Sequence, residues 1–321
     1  MNLDALYRKA VEIGIANDLR GREEVLRVLA GEKDRFEKLT DSEKADFDRD
    51  RLFNPFADTR ILNGGPDVEI RTAIVGIDME IGEILLAHTL NRDRAAGIDL
   101  IIAHHPEGNA QARLHDVMRL QSDLLASCGV PIAVAEQLME KRIGEVERRL
   151  MPVNHERAVD AARALALPMM CIHTPADNCV AAFLTRLFGE KEPRTLGDLV
   201  DLLKEIPEYR RAVRRNTPPR IVSGAEVGKC GRIFVDMTGG TEGSKDIYDR
   251  LAAAGLSTLV GMHLGEEALE KARKANLDVV IAGHVSSDTL GLNLLFDEVE
   301  KDGVIEFRSV SGFERIRRPL G

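Results

Sequence analysis

Short apolar runs alternate with amphipathic stretches along most of the chain after residue 71. The apolar runs are typical of buried strands, which we predict over 72–77, 98–103, 131–135, 169–172, 232–236, 257–260, 277–282 and 304–308. The amphipathic stretches have helical spacing, and we predict helices over 80–96, 113–127, 136–167 with a break near 152–154, 178–188, 196–206, 245–254, 266–275 and 286–301. Alternation of strand and helix favours parallel sheets with right-handed crossovers. The predicted fold class is therefore α/β.

The N-terminal part follows a different pattern. Leu3, Leu6, Ala10 and Ile13 recur at helical spacing among charged residues. This pattern predicts two or three surface helices up to about residue 48, packed on the main body or on a neighbouring subunit. Turn-forming residues with little periodicity continue to residue 68 and indicate a loop or a domain boundary.

A weak internal echo suggests that the main part of the chain is duplicated. Residues 98–105 can be laid over 277–284 with a coinciding aspartate, isoleucine, alanine and final histidine. The echo predicts two similar α/β lobes that face each other across a cleft, a favoured position for ligand sites. We therefore divide the chain into an N-terminal helical arm, 1–65, and a two-lobed unit, 66–321, with a helical insertion at about 136–168.

Composition and charge narrow the class of protein. The chain is 44% hydrophobic and 30% charged, as is usual for a soluble globular protein. No apolar stretch approaches the roughly 20 residues of a membrane helix, and the first residues lack a signal-peptide core. We therefore expect a cytoplasmic protein with no membrane partner. The net charge of −9 and the absence of tryptophan oppose binding to nucleic acid, which we do not expect as a partner.

Three clusters of histidine and aspartate follow predicted strands. They are His104 with His105, His173 with Asp177, and His284 with Asp288. In the third cluster, the i, i+4 spacing places both side chains on one face of a helix. Because consecutive strand residues point to opposite faces, the first pair requires a turn in the chain or two different ions. Imidazole and carboxylate ligands suit zinc, iron, manganese or nickel. The clusters predict a site for two divalent metal ions.

The other histidines carry weaker signals. His88 lies inside a predicted helix, and His115 and His155 are expected at the surface. His263 follows a strand and could line the cleft, but no partner is identifiable from the sequence. His173 is balanced between a metal ligand and a hydrogen-bonded structural residue.

Two further motifs could bind anions. Residues 239–245 lie between a predicted strand and helix, where backbone amides can hold a phosphate. Their spacing fits neither a Walker loop nor a dinucleotide fingerprint, and we favour a tight turn in which Ser244 caps the next helix. The arginines between residues 210 and 220 are typical of a solvated helix face, although they could steer an anionic substrate if folded toward the cleft.

The three histidine segments resemble a known family. Residues 99–106 (DLIIAHHP), 173–177 (HTPAD) and 283–288 (GHVSSD) occur in this order, as in the NGG-one-interacting-factor-three family, also labelled GTP cyclohydrolase I type 2. The likeness covers about residues 68–310 in outline. It implies a two-lobed α/β protein with a dinuclear metal centre in the cleft, often assembled as a toroidal hexamer.

The resemblance also implies a set of metal ligands, with some departures from the family pattern. The implied ligands are His104, His105, Asp177 as the bridge, His284 and Asp288. Asp288 stands where the family usually has glutamate, whose side chain is one methylene longer. The segment between the first two motifs is longer than usual, and the turn at 260–266 lacks the family's Thr-Gly-Glu sequence. The arm has no counterpart that we identify.

Two functional hypotheses follow. The first is a metal-dependent hydrolase in which two ions about 3.5–4 Å apart lower the pKa of a bridging water. Asp177, Asp78 or Asp288 could orient that water, and the small-molecule substrate would be a nucleotide, a phosphoester or a cyclic amide. The second is a non-catalytic scaffold or regulatory protein, whose metals hold its lobes together in a homo-oligomer, possibly a hexamer.

Overall fold

Two β-sheets form the centre of the structure, a computed structural model that describes residues 1–92 and 97–318. The strands are β1 (Arg60–Asn63), β2 (Thr72–Gly76), β3 (Leu100–Ala103), β4 (Met169–Cys171), β5 (Arg220–Ser223), β6 (Ile233–Asp236), β7 (Thr258–Gly261), β8 (Asp278–Ile281) and β9 (Glu306–Ser309). The first sheet has the order β1-β4-β3-β2-β9, and the second has the order β5-β8-β7-β6. β1 and β5 are antiparallel to their neighbours, whereas the other neighbouring pairs are parallel.

Helices pack around both sheets. They are α1 (Leu3–Ala16), α2 (Arg22–Glu37), α3 (Asp41–Asp46), α4 (Ile81–Arg92), α5 (Gly108–Ala112), α6 (Leu114–Val117), α7 (Leu120–Ser127), α8 (Ile132–Leu150), α9 (Arg157–Ala164), α10 (Thr174–Lys191), α11 (Leu196–Glu205), α12 (Pro207–Arg214), α13 (Tyr248–Ala253), α14 (Glu266–Lys274) and α15 (His284–Val299), with a 3-10 turn at Arg49–Leu52. None of the described helices is long and apolar enough to cross a membrane. Each sheet with its helices forms one lobe, which confirms the predicted two-lobed α/β fold.

Helices α10 and α15 lie between the two sheets. Ile102 of the first sheet shares a hydrophobic core with Cys179 of α10 and Leu292 of α15. Val280 of the second sheet shares another core with Leu184 of α10. Helices α4 and α9 cover the far side of the first sheet, and α8, α13 and α14 cover that of the second. The two central helices therefore connect the lobes.

The lobes repeat the same topology, but the register of the predicted echo is wrong. Matching 98–105 with 277–284 pairs β3 with β8, which occupy different positions in their sheets. The counterpart of β8 is β4, because each pairs with an antiparallel edge strand through a register shift after the second residue pair. The pair His173 and Asp177 in the first lobe is therefore the topological counterpart of the pair His284 and Asp288 in the second lobe. Buried strands share a small vocabulary of apolar residues, which explains the misleading match.

Some predicted elements differ from the structure. The predicted strand 131–135 is the start of α8, in which Ala135, Met139 and Ile143 are buried at helical spacing. Ser244 does not cap a helix, since α13 begins only at Tyr248. The predicted helix 80–96 is α4 as far as Arg92, and residues 93–96 lie outside the described part of the chain.

The structure also contains two edge strands that the sequence pattern missed. β1 lies within a segment that was predicted to be a loop, and β5 follows the arginine-rich stretch. Both have four residues and lack a continuous apolar run. The last strand, β9, was predicted in the second half, but it joins the first sheet beside β2.

Helix α1 belongs to the core of the first lobe. Its Leu3, Leu6 and Tyr7 are buried against residues of α10 and α15, so α1 packs on the main body, which is one of the two predicted arrangements. Helices α2 and α3 are more superficial, since α2 buries only Val25 and Leu29 and α3 buries no residue. The division of the chain at residue 65 stays a prediction.

A buried tyrosine tests whether α1 is part of the folded unit. The Tyr7 hydroxyl donates to Asp50 Oδ2 at 2.8 Å and accepts from Asn54 Nδ2 at 2.8 Å. We expect Tyr7→Phe to lower the free energy of unfolding by about 1–2 kcal/mol, because these bonds are lost in a buried setting. Tyr248→Phe is the matched control, since the Tyr248 hydroxyl makes no hydrogen bond to a described residue. Equal denaturation midpoints for the two variants would contradict the prediction.

Candidate metal centre

The three histidine segments meet where strands of both lobes end. β3 runs directly into His104 and His105, β4 leads to His173 at the start of α10, and β8 leads to His284 at the start of α15. Parallel strands present their carboxyl ends at one edge of a sheet, where α/β folds place ligands. The N-termini of α10 and α15 bring the carboxylates of the same segments to this edge.

One ring nitrogen of His104 is hydrogen-bonded to the main chain, and the other has no hydrogen-bond partner among the described residues. Its Nδ1 donates to the carbonyl oxygen of Ile172 at 3.0 Å. Its Nε2 lies 3.5 Å from Asp177 Oδ1 and 3.5 Å from Asp288 Oδ1. The ring is fully buried. The hydrogen bond to the main chain therefore directs Nε2 toward two carboxylates.

His105 lies on the more open side. Its Nδ1 is 2.7 Å from Asp78 Oδ1, and its Nε2 is 3.7 Å from Asp288 Oδ2. His284 Nε2 is also 3.7 Å from Asp288 Oδ2. The side chains of His105 and His284 are 28% and 43% exposed. The chain turns after β3, so the two consecutive histidines reach the same centre from different sides.

Sequence reasoning missed the residue that orients His173. Asp58 is completely buried, and its Oδ2 accepts from His173 Nδ1 at 2.8 Å and from the Thr174 hydroxyl at 2.6 Å. The other ring nitrogen, His173 Nε2, lies 3.7 Å from Asp177 Oδ2. Asp58 precedes β1 in a segment with no periodic signal, and only the pairing of β1 with β4 places it beside His173.

The side chains form overlapping groups of potential ligands, and two of these groups share Asp288: one has His104 and Asp177, and the other has His105 and His284. In a third group, His173 lies with His104 and His105. Asp288 Oδ1 faces His104, whereas its Oδ2 faces His105 and His284. Both oxygens of Asp177 instead face His104 and His173. By geometry it is Asp288, and not Asp177, whose two oxygens are divided between the groups.

These side chains fit a metal ion. The buried His104 Nε2, Asp177 Oδ1 and both carboxylate oxygens of Asp288 lack a hydrogen-bond partner among the described residues. Each such atom costs about 1–3 kcal/mol if left unpaired. The separations of 3.5–3.7 Å are too long for hydrogen bonds. Two ligand atoms about 2.1 Å from one ion lie roughly 3.4 Å apart at a tetrahedral angle. These groups of histidine and aspartate could therefore hold a metal ion.

The electrostatics of the cluster also favour a cation. Burial lowers the pKa of His104, but Asp288 and Asp177 outweigh it and raise that pKa to about 10. Burial and the charges of His104 and His173 lower the pKa of His105 to about 4. Burial would raise the pKa of Asp288, but His104 and the other imidazoles hold it below its usual value. The carboxylates thus hold a proton on His104 that a metal ion would replace.

Of the remaining histidines, one lines the cleft and another lies away from the metal cluster. The His263 ring packs 4.9 Å from that of His284, centroid to centroid, and lines the cleft. His155 instead bonds Gln111 Oε1 at 2.8 Å, away from the cluster. Asp78, a candidate catalytic residue in the sequence, contacts His105 Nδ1.

Comparison with known proteins supports the structural picture. No protein-family model and no curated protein matches the sequence. Among solved structures, the fold is similar to that of a NIF3 superfamily protein from Sphaerobacter thermophilus, with 25% identity, a TM-score of 0.69, and coverage of 80% of this chain and 91% of that one. It is also similar in fold to reduced HcgD from Methanocaldococcus jannaschii, with 14% identity, a TM-score of 0.50, and coverage of 78% and 87%. The fold, together with the three histidine segments at one strand edge, therefore supports the resemblance to the NIF3 superfamily.

Proposed function

We propose that the cluster binds two divalent metal ions, one in each of the two groups that share Asp288. His104, His173 and Asp177 would hold the first ion, and His105 and His284 the second, with Asp288 shared between them. The observation that carries this proposal is the set of buried, unpartnered nitrogen and oxygen atoms 3.5 Å apart around His104. The donor set suits zinc, iron, manganese or nickel.

We further propose that the protein is a metal-dependent hydrolase of a small molecule. When bound, such ions lower the pKa of water and stabilise negative charge that develops on an oxygen of the substrate. The chain's own part is to orient the ligands: the Ile172 carbonyl fixes the ring of His104, Asp78 fixes His105, and Asp58 fixes His173. The partly exposed His105 and the exposed His284 leave one side of the centre open to substrate.

Several parts of the account stay predictions. Asp177 and Asp78 remain the candidates for the carboxylate that orients the water, although the contact of Asp78 with His105 supports a positioning role. A homo-oligomer, possibly a hexamer, and a cytoplasmic location also stay predictions. In the alternative function, the metals only stabilise an oligomeric scaffold.

Metal analysis of single variants tests the proposal. We expect about two equivalents of metal in the wild type, and loss of at least one equivalent and of turnover in a phosphoester, nucleotide and amide screen for His104→Ala and for Asp177→Asn. Circular dichroism should show an intact fold. His155→Ala, outside the cluster, is the control and should keep its metal. A metal-free wild type after incubation with zinc or manganese would refute the proposal, and metal loss with collapse of the oligomer would support the scaffold.

Asp58 provides a test of ligand orientation without removal of a ligand. We expect Asp58→Asn to weaken metal binding by about 10–100-fold, because His173 loses the carboxylate that fixes its ring and tautomer. Competition with a chromophoric chelator measures the affinity. Asp201→Asn, at an exposed aspartate that pairs only with Lys204, should bind metal like the wild type. An unchanged affinity in Asp58→Asn would show that the carboxylate does not act on the centre.

A further inference from the structure

The cleft next to the open side of the centre is acidic. It has a volume of about 70 Å³ and is lined by His263, His284 and residues at the ends of β6 and β7. Asp236 and Glu242 supply its carboxylates besides those of the metal cluster, and no lysine or arginine lines it in the part of the chain that the structure describes. The protein's own charges at this cleft therefore disfavour an anion, and they would oppose the attraction of bound metal ions for it.

Neither carboxylate forms an ion pair with any residue that the structure describes. Glu242 Oε1 accepts only from the backbone N–H of Gly265, at 3.1 Å, and the described residues give Asp236 no hydrogen bond or ion pair through its side chain. Burial, followed by the charge of Glu242, raises the pKa of Asp236 to about 6. The two unpaired carboxylates are what give this cleft its negative charge.

The cations close to this cleft point away from it. The Nε–H group of Arg142 donates to the backbone oxygen of Glu242 at 3.0 Å, and its Nη1 donates to Glu145. Lys245 pairs with Glu267 at 2.6 Å. The arginines between residues 210 and 220, which could have steered an anion, do not line the cleft.

Gln121 holds the turn that follows β6. The carbonyl oxygens of Gly239 and Thr241 both accept from Gln121 Nε2, at 2.7 and 2.8 Å. The following helix starts only at Tyr248, so no helix N-terminus faces the cleft from this turn.

The first-lobe side of the opening is acidic as well. Asp78 contacts His105, and the carboxylates of Glu80 and Asp78 lie close enough to Glu107 to repel it, with Arg157 as the opposing cation. Recognition of phosphate usually relies on arginine, lysine or converging backbone amides. Carboxylates are acceptors only and complement N–H donors.

We propose, on the basis of the hydrolase function above, that the substrate is a neutral or positively charged amide whose N–H groups are bound by Asp236 and Glu242, and that phosphorylated compounds are poor ligands. In its hydrolysis, the oxygen of water forms a bond to the carbonyl carbon and the C–N bond breaks. One proton of water goes to the leaving nitrogen and the other to solvent, which yields an amine and a carboxylate.

Binding measurements on a charge variant test this substrate class. Calorimetry would compare glycinamide and inorganic phosphate as probes, with zinc-loaded wild type and with the double variant Asp236→Asn, Glu242→Gln. We expect the double variant to weaken glycinamide binding about tenfold, because a charged hydrogen bond is lost, and to strengthen phosphate binding. Glu270→Gln, at an exposed residue paired with Lys274, should change neither affinity.

Results that would overturn the substrate class differ from those that would refute the hydrolase function. Weaker phosphate binding in the double variant, or no change for either probe, would overturn the assignment of substrate class. Turnover of GTP or p-nitrophenyl phosphate without turnover of linear or cyclic amides would overturn it as well, while the hydrolase function would stand. Failure of the wild type to take up zinc would instead refute the proposed function on which the inference rests.

Discussion

Replacement of Asp288 by asparagine is expected to abolish tight binding of both metal ions. One carboxylate oxygen faces His104, and the other faces His105 and His284 at 3.7 Å. An amide has one acceptor oxygen and no charge, so it cannot serve both groups. Loss of a residue that only orients a ligand costs about 10–100-fold in affinity, and loss of a shared ligand should cost at least the upper figure. Elemental analysis and chelator competition measure the effect.

Glu298→Gln is the matched control for this substitution. It removes a carboxylate from the same helix, α15, but Glu298 is half exposed and pairs only with Lys301. Its metal content should equal that of the wild type, and its stability should change by less than about 0.5 kcal/mol. Retention of either ion at wild-type affinity in Asp288→Asn would contradict the sharing of Asp288 between two groups.

A methyl group added at Gly291 is expected to destabilise the protein by about 1–3 kcal/mol or more. Gly291 lies on α15 where this helix crosses α10. A Cβ atom there would overlap the carbonyl group of Ala176, with its carbon at 2.8 Å. The collision involves backbone, so the helices must separate. Because Ala176 precedes Asp177 and Gly291 follows Asp288 by three residues, the separation should also weaken metal binding. Chemical denaturation of the metal-free and metal-loaded protein measures both effects.

Gly189→Ala, on α10, is expected to have the opposite effect on stability. Gly189 is an exposed residue of α10, and a Cβ atom there has no neighbour within 4 Å. Alanine should stabilise the protein by about 0.5–1 kcal/mol, because it has the higher helix propensity. If Gly291→Ala were as stable as Gly189→Ala, close packing of the two helices could not be what positions the carboxylates.

The strands that carry the histidines could be predicted because each is a short, mainly apolar run with a histidine just beyond its end. β3 before His104 and β8 before His284 are such runs. The edge strands β1 and β5 could not be predicted in this way. Each has only one neighbour in its sheet, so its sequence does not need continuous hydrophobicity. The start of α8 was mistaken for a strand because its first four residues are apolar, and helical spacing becomes visible only further along.

The site could be predicted in its parts but not in its arrangement. Residue type and spacing mark His284 with Asp288 as a pair on one helix face. The division of Asp288 between two groups depends on how α10 packs against α15, which is a tertiary property. Asp58 could not be found, because its contact with His173 joins residues 115 positions apart. Although aspartate is one methylene shorter than glutamate, Asp288 still approaches both groups to 3.5–3.7 Å.

Anomalous X-ray diffraction from crystals grown with manganese or zinc would show directly whether two ions share Asp288. We expect two peaks per chain, one in contact with His104 and Asp177 and one in contact with His105 and His284, both touching Asp288. A single peak outside these residues, or no peak at saturating metal, would contradict this expectation.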